Sequence, residues 1–112
     1  MSKSATEYLK HILDEFAFLE KERTLLTEEQ FMHDPIRQRA FARSLEIIGE
    51  AAKQVPDPFR AQHSEIYWKG LAGLRDKLIH HYFGVDYAIV WDVVSNELPA
   101  IKIKLESVLK AS

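Results

Sequence analysis

Apolar residues recur every three or four positions along almost the whole chain, and this spacing constrains the fold more than any other feature. Tyr8, Ile12, Phe16 and Leu19 begin the pattern. Such spacing places apolar side chains on one face of an α-helix, whereas a half-buried strand would alternate at every second residue. No strand-like alternation, internal repeat or low-complexity run is present. The 112 residues therefore predict one all-α domain, spanning residues 1–112.

Local signals divide this pattern into an up-and-down bundle of four to five helices. Ser4 and Thr27 each precede a Glu or Gln by three residues, which is the pattern of a capping box at a helix start. Asp34 is expected to cap a long helix over residues 35–54, because the proline that follows it suits the first helical position. Gly49 weakens a helix interior, so its presence indicates another backbone packed closely there.

The second half of the chain is predicted to form further helices. One runs from Tyr67 to about His81, with Trp68 near its start as a core anchor. Asp86 is the expected cap of the last helix, whose apolar spacing continues through Pro99. A proline inside a helix removes a hydrogen bond and clashes with the preceding turn, so this helix is expected to be kinked near Pro99.

Ionisable and hydrogen-bonding side chains crowd into the short segment from Arg75 to Tyr82. On a continuous helix Asp76 would lie one turn before His80, where a carboxylate orients the imidazole and favours its charged form. A general acid or base working near neutral pH needs such a histidine. Arg75 would lie roughly 140° from His80 around the same axis. A composite site built from two chains is therefore the simpler geometry.

These residues carry a family resemblance. Arg75, four intervening residues, His80, one residue and Tyr82 resemble the R-x4-H-x-Y signature of HEPN domains, and more narrowly the HepT toxins. The resemblance spans nearly the whole chain, including the RSLEIIGEAA segment at 43–52. It implies the toxin of a type VII-like toxin–antitoxin pair, a metal-independent ribonuclease that cleaves RNA such as tRNA. The composite R-x4-H site would lie at a homodimer interface.

The resemblance also implies a regulator and a role for each residue. A small nucleotidyltransferase antitoxin would adenylylate Tyr82, and the added bulk and charge would repel RNA from the site. Arg75 and His80 would be catalytic, with His80 transferring the proton and Arg75 stabilising the phosphorane. The supporting residues would be Asp76, His81 and Lys77. Asp76 stands where many HEPN proteins have Asn, which adds a negative charge near the expected phosphate.

The charge distribution predicts local RNA contact rather than a broad basic surface. The formal net charge is -2, and residues 1–30 hold seven acids against four bases. Nucleic-acid-binding domains are normally basic. Candidate RNA contacts on the long helix are Arg37, Arg39 and Arg43. The alternative is that these arginines pair with carboxylates of the first helix, which is rich in them.

Several other functions are not supported by the sequence. The chain has no cysteine, no apolar run near the roughly 20 residues needed to span a bilayer, and no signal-peptide pattern, so we expect a cytoplasmic protein with no membrane contact. The histidines at 11, 33 and 63 lack metal-ligand spacing, and we predict neither a metal nor a cofactor. The rival function is a non-catalytic helical subunit of a nucleotidyltransferase complex, which binds nucleotide, RNA or only its partner.

Overall fold

The computed structural model describes residues 4–80 and 84–111, and of His80 only the backbone. The described residues form a helical bundle with one pair of two-residue strands, so the predicted all-α class is confirmed. In chain order the elements are α1 (Ala5–Arg23), α2 (Glu28–Met32), α3 (Pro35–Gln54), α4 (Asp57–Gln62), α5 (Trp68–Ala72), α6 (Leu74–Leu78), β1 (Ile79–His80), β2 (Gly84–Val85), α7 (Tyr87–Asp92), a π-helical turn (Val93–Glu97) and α8 (Leu98–Ala111).

The two long helices α1 and α3 pack against each other at the centre of the bundle. Their apolar stripes are buried, as the spacing predicted, and include Leu9 and Ile12 on α1 and Leu45 and Ile48 on α3. The buried Ser44 hydroxyl donates a hydrogen bond to the carboxylate of Glu15 on α1, at 2.7 Å. This bond joins the two helices through a polar group that would be costly to bury alone.

Polar side chains cap the N-termini of several helices at the positions that the sequence predicted. The Thr27 hydroxyl accepts a hydrogen bond from the Gln30 backbone, and the Gln30 side chain accepts one from the Thr27 backbone, which completes a capping box. Asp34 caps α3 with Pro35 at its first position, and Asp86 caps α7. Ser4 accepts from the Glu7 backbone at the start of α1. The predicted extent of α3, from Pro35 to about Gln54, is confirmed.

Gly49 lies where α5 crosses α3. A Cβ atom at this position would be 3.2 Å from the carbonyl oxygen of Leu71 and 3.4 Å from that of Ala72. The shorter distance is tighter than most Cβ contacts, so a larger residue here would require the backbone of α5 to shift by a few tenths of an ångström. The close packing predicted from the glycine is confirmed.

The disturbance predicted near Pro99 takes the form of a π-helical turn immediately before it. The backbone N–H of Leu98 donates to the carbonyl of Val93, five residues earlier. The helical path then continues past Pro99 into α8. A π turn is a recognised cause of helix kinks, and proline has no N–H to lose at the start of the following α-helix.

An aromatic cluster fills the end of the core between α2, α3 and α7. The Phe31 ring is fully buried, with its centroid 4.9 Å from that of Phe41 and 5.2 Å from that of Trp91. Trp68 is also buried, and its indole N–H donates to the carbonyl of His63 at 3.0 Å. Its predicted role as a core anchor is confirmed.

Candidate ribonuclease site

The helix that carries the candidate site is shorter than predicted. We expected it to run from Tyr67 to about His81, but the structure interrupts it at Gly73 and ends α6 at Leu78. Ile79 has φ −99° and ψ 127°, which is extended backbone. The sequence after Leu78 is Ile-His-His-Tyr-Phe, rich in the β-branched and aromatic residues that favour strands. At Ile79 and His80, local β preference therefore outweighs the helical apolar spacing.

A short antiparallel hairpin replaces the end of that helix. Ile79 pairs with Val85, and His80 pairs with Gly84. Gly84 has φ +72°, a conformation that side-chain-bearing residues rarely adopt, and it lets the chain return beside β1. The backbone N–H of Asp86 also donates to the carbonyl of Leu78 at 2.8 Å. The backbone of His80 is thus held by the hairpin.

This geometry corrects two expectations about His80. Asp76 and His80 are not one turn apart on a helix, because α6 ends between them. The separation of roughly 140° between Arg75 and His80 also does not apply, so that angle gives no reason for a site built from two chains. The predicted supporting residue His81 and the predicted modification residue Tyr82 lie outside the described residues.

Arg75 is exposed on α6 and forms no ion pair with any residue that the structure describes. It borders a hollow of about 10 Å³ together with Ala42 and Glu46 of α3 and with Leu78, Ile79 and Val85. Glu46 is nevertheless directed to another arginine, since its carboxylate lies 3.6 Å from the Arg43 guanidinium. Among the described residues, none occupies the Arg75 guanidinium, whose hydrogen-bond donors could therefore contact an anion.

Of the two residues that follow Arg75, Lys77 forms an ion pair and Asp76 forms none among the described residues. Lys77 donates to both carboxylate oxygens of Glu97 in the π turn, at 3.0 and 2.8 Å. Both side chains are nearly half exposed, so the pair contributes only about 0–1 kcal/mol and can exchange for another partner. Asp76 is exposed and forms no hydrogen bond or ion pair within the described part of the chain. Within residues 4–80 and 84–111, the consecutive residues Arg75 and Asp76 therefore both lack an ionic partner.

The three arginines of α3 have different environments. Arg37 lies 3.2 Å from Glu22 of α1 and 3.2 Å from Asp34, so pairing with the first helix holds for this residue. Arg43 pairs instead with Glu46 and Glu50 of its own helix, at 3.6 and 3.8 Å. Arg39 is exposed and has no ionic partner among the residues at 4–80 and 84–111. Arg39 is therefore the most available of the three for a phosphate.

Two side chains at the start of α3, Asp34 and Arg37, have shifted pKa values. The pKa of Asp34 is lowered from its ordinary value, chiefly because its carboxylate accepts a hydrogen bond from the Arg37 backbone N–H and also contacts the Arg37 side chain. The pKa of Arg37 is raised, chiefly by its hydrogen bond to Glu22. Asp34, Arg37 and Glu22 therefore stabilise the start of α3 and its contact with α1.

Neither a metal site nor a membrane-spanning helix is present in the part of the chain that the structure describes. No group of three histidine or carboxylate side chains in residues 4–79 and 84–111 could hold a metal ion. None of the described helices is long and apolar enough to cross a bilayer.

Comparison with known proteins identifies the family. Residues 6–108 match the family model described as ribonuclease HepT-like. The chain is 47% identical over 108 residues to "Putative RNase TTE0752" of Caldanaerobacter subterraneus subsp. tengcongensis, covering 96% of each protein. It is 41% identical over 110 residues to "Probable ribonuclease HepT" of Thermococcus cleftensis, covering 98% of this chain and 100% of that one. No solved structure gives a significant match. The chain therefore belongs to the HepT-like ribonuclease family.

Proposed function

We propose that this protein is the toxin of a type VII-like toxin–antitoxin pair and acts as a metal-independent endoribonuclease, with tRNA as a substrate, in the cytoplasm. One observation carries the proposal beyond family membership. Arg75, the arginine of the R-x4-H-x-Y pattern, is exposed and has no carboxylate partner among the described residues. An unpaired guanidinium can bind phosphate with two parallel hydrogen bonds, which a structural arginine already in an ion pair cannot do as readily.

The proposed reaction uses groups of the RNA and of the protein only. The 2'-hydroxyl oxygen attacks the adjacent phosphorus and gives its proton to the His80 imidazole. The bond from phosphorus to the 5'-oxygen breaks, and that oxygen takes up a proton from a protonated His80 imidazole. The products are a 2',3'-cyclic phosphate and a 5'-hydroxyl. Arg75 stabilises the charge that develops on the phosphorane oxygens.

The site is proposed to form between the two chains of a homodimer, with the R-x4-H segments facing each other. The family resemblance supports this arrangement, and the surface beside the segment is suited to it. Ile79 directly precedes His80 and is 37% exposed, so apolar area adjoins Arg75 on the surface. Arg39 and Arg43 of α3 would then extend the path for RNA phosphates.

Regulation is proposed to act through Tyr82, which a small nucleotidyltransferase antitoxin would adenylylate. An adenylyl group two residues after His80 would place bulk and negative charge where the RNA phosphate must lie. Tyr82→Phe should remain an active toxin that the antitoxin no longer silences, as measured by growth of cells that produce both proteins. Silencing of Tyr82→Phe as complete as that of the wild type would refute this mode of regulation.

A second candidate function rests on Asp76. This exposed carboxylate follows Arg75 in sequence, has no ionic partner among the residues that the structure describes, and would repel a phosphate bound at Arg75. It favours a non-catalytic subunit that binds RNA, nucleotide or its nucleotidyltransferase partner. Such a binder should keep its affinity for RNA when His80 is replaced, whereas the enzyme should lose turnover.

Cleavage of bulk tRNA in excess EDTA tests the proposed enzyme. The wild-type chain, shown by intact mass to be unmodified, should cleave tRNA. His80→Ala should lower the rate by about 10²- to 10⁴-fold, and Arg75→Ala by about 10²- to 10³-fold. Lys104→Ala removes an exposed cation on α8 and serves as the control for loss of charge alone. No cleavage by an unmodified, dimeric wild type would favour the binding subunit.

A further inference from the structure

A groove of about 270 Å³ separates the end of α1 from the π turn and the start of α8. Its floor is apolar and includes the buried side chains of Phe16, Leu19, Val94 and Leu98. Arg23 lies at its polar rim. None of the residues that border this groove belongs to the R-x4-H-x-Y segment or to the arginines of α3.

Arg23 is held in place without being neutralised. Its Nε donates to the Ser95 hydroxyl at 3.1 Å, and its guanidinium carbon lies 5.3 Å from the centroid of the Trp91 ring. The hydroxyl and the ring fix the orientation of the guanidinium plane. No carboxylate among the described residues forms an ion pair with it. Donors of the guanidinium beyond Nε therefore remain for another acceptor.

The other charges at the rim cancel each other. Lys102 donates to both carboxylate oxygens of Glu20, at 3.2 and 3.1 Å. Of the three charged residues that border the groove, Arg23 is thus the one whose charge no described carboxylate balances, and the three together carry a net charge of +1. A groove with one uncompensated cation and an apolar floor is complementary to a ligand with one negative charge and an apolar body.

We propose that this groove binds a small amphipathic monocarboxylate, with the carboxylate on the Arg23 guanidinium and the apolar body on the floor. A planar guanidinium matches the geometry of a carboxylate through paired hydrogen bonds. Ligand pockets commonly measure about 300–1,000 Å³, so this one suits a small ligand. The π turn that forms one wall supports the assignment, because π turns occur frequently at functional sites.

Octanoate and octanamide provide a matched pair of probes that differ in charge but not in apolar length. Titration calorimetry of the wild-type chain should show binding of octanoate and at least tenfold weaker binding of octanamide, because a hydrogen bond to a charged group is lost. Amide NMR shifts caused by octanoate should centre on Ser95 and the Trp91 indole N–H. Neither measurement depends on ribonuclease activity. The proposal that the groove binds a carboxylate can therefore be refuted without affecting the proposed ribonuclease function.

Arg23→Gln should weaken octanoate binding by about 10- to 100-fold and leave octanamide binding unchanged. Lys110→Gln removes an exposed cation of α8 outside the groove and should change neither. Equal affinity of the wild type for the two probes would overturn the proposal, as would shifts centred away from α1 and the π turn. These wild-type results decide the question even if Arg23→Gln does not fold.

Discussion

At the residue scale, the structure distinguishes free charges from paired ones. Arg75 and Lys77 stand two residues apart on α6, yet Arg75 is unpaired within the described residues while Lys77 is bound to Glu97. The sequence predicted both as candidates for phosphate contact. It could not rank them, because Glu97 is 20 positions away from Lys77 and is brought close only by the packing of the π turn. Arg23 was overlooked for the same reason, since Ser95 and Trp91 are distant in sequence.

The pKa of Asp34 leads to a prediction about stability and pH. Because the folded chain lowers this pKa below its ordinary 3.8, the ionised carboxylate stabilises the fold fully above that value and progressively less as the pH falls through the lower folded-state pKa. Asp34→Asn keeps a helix-capping side chain but loses the charge. Urea unfolding should therefore show the wild type as more stable at pH 7, with the difference narrowing below about pH 4. A difference that stays constant down to pH 2 would contradict this account.

At the element scale, helices with strong local signals were predicted well, but the backbone around His80 was not. The caps at Thr27, Asp34 and Asp86 act within a few residues, so the sequence is sufficient to place them. The hairpin after α6 depends on pairing between residues 79–80 and 84–85, together with the left-handed conformation of Gly84. Helical apolar spacing concealed that pairing. The roles of Arg75 and His80 stay predictions, and the backbone conformation that carries His80 could not be predicted from the apolar spacing.

The crossing of α5 over α3 gives a test of helix packing. Gly49→Val would place methyl groups beyond a Cβ that is already 3.2 Å from the Leu71 carbonyl oxygen. We expect the free energy of unfolding to fall by about 1–3 kcal/mol, as is typical of overpacking. Lys53→Val is the control, because it places a valine in the same helix at an exposed position, where no crossing backbone is crowded. Equal losses in the two variants, measured by urea unfolding, would show that the crossing is not tight.

At the scale of the whole molecule, the proposed dimer determines which surface is covered. Ile79 and Ile103 are both exposed isoleucines, but only Ile79 adjoins Arg75. If the R-x4-H segments face each other, Ile79→Asp should bury a charge in the interface and shift the protein toward monomer. Ile103→Asp should leave the dimer intact. Sedimentation velocity measures both, and monomer formation by Ile103→Asp alone would place the interface elsewhere.

The central claim is that Arg75 and His80 support RNA cleavage by the 2'-hydroxyl without a metal. Mass spectrometry of the fragment ends, after incubation of tRNA with the unmodified protein in excess EDTA, tests this claim most directly. The account predicts 2',3'-cyclic phosphate and 5'-hydroxyl ends, strongly reduced in Arg75→Ala and retained in Lys104→Ala. Fragments ending in 3'-hydroxyl and 5'-phosphate, or equal cleavage by Arg75→Ala, would contradict it.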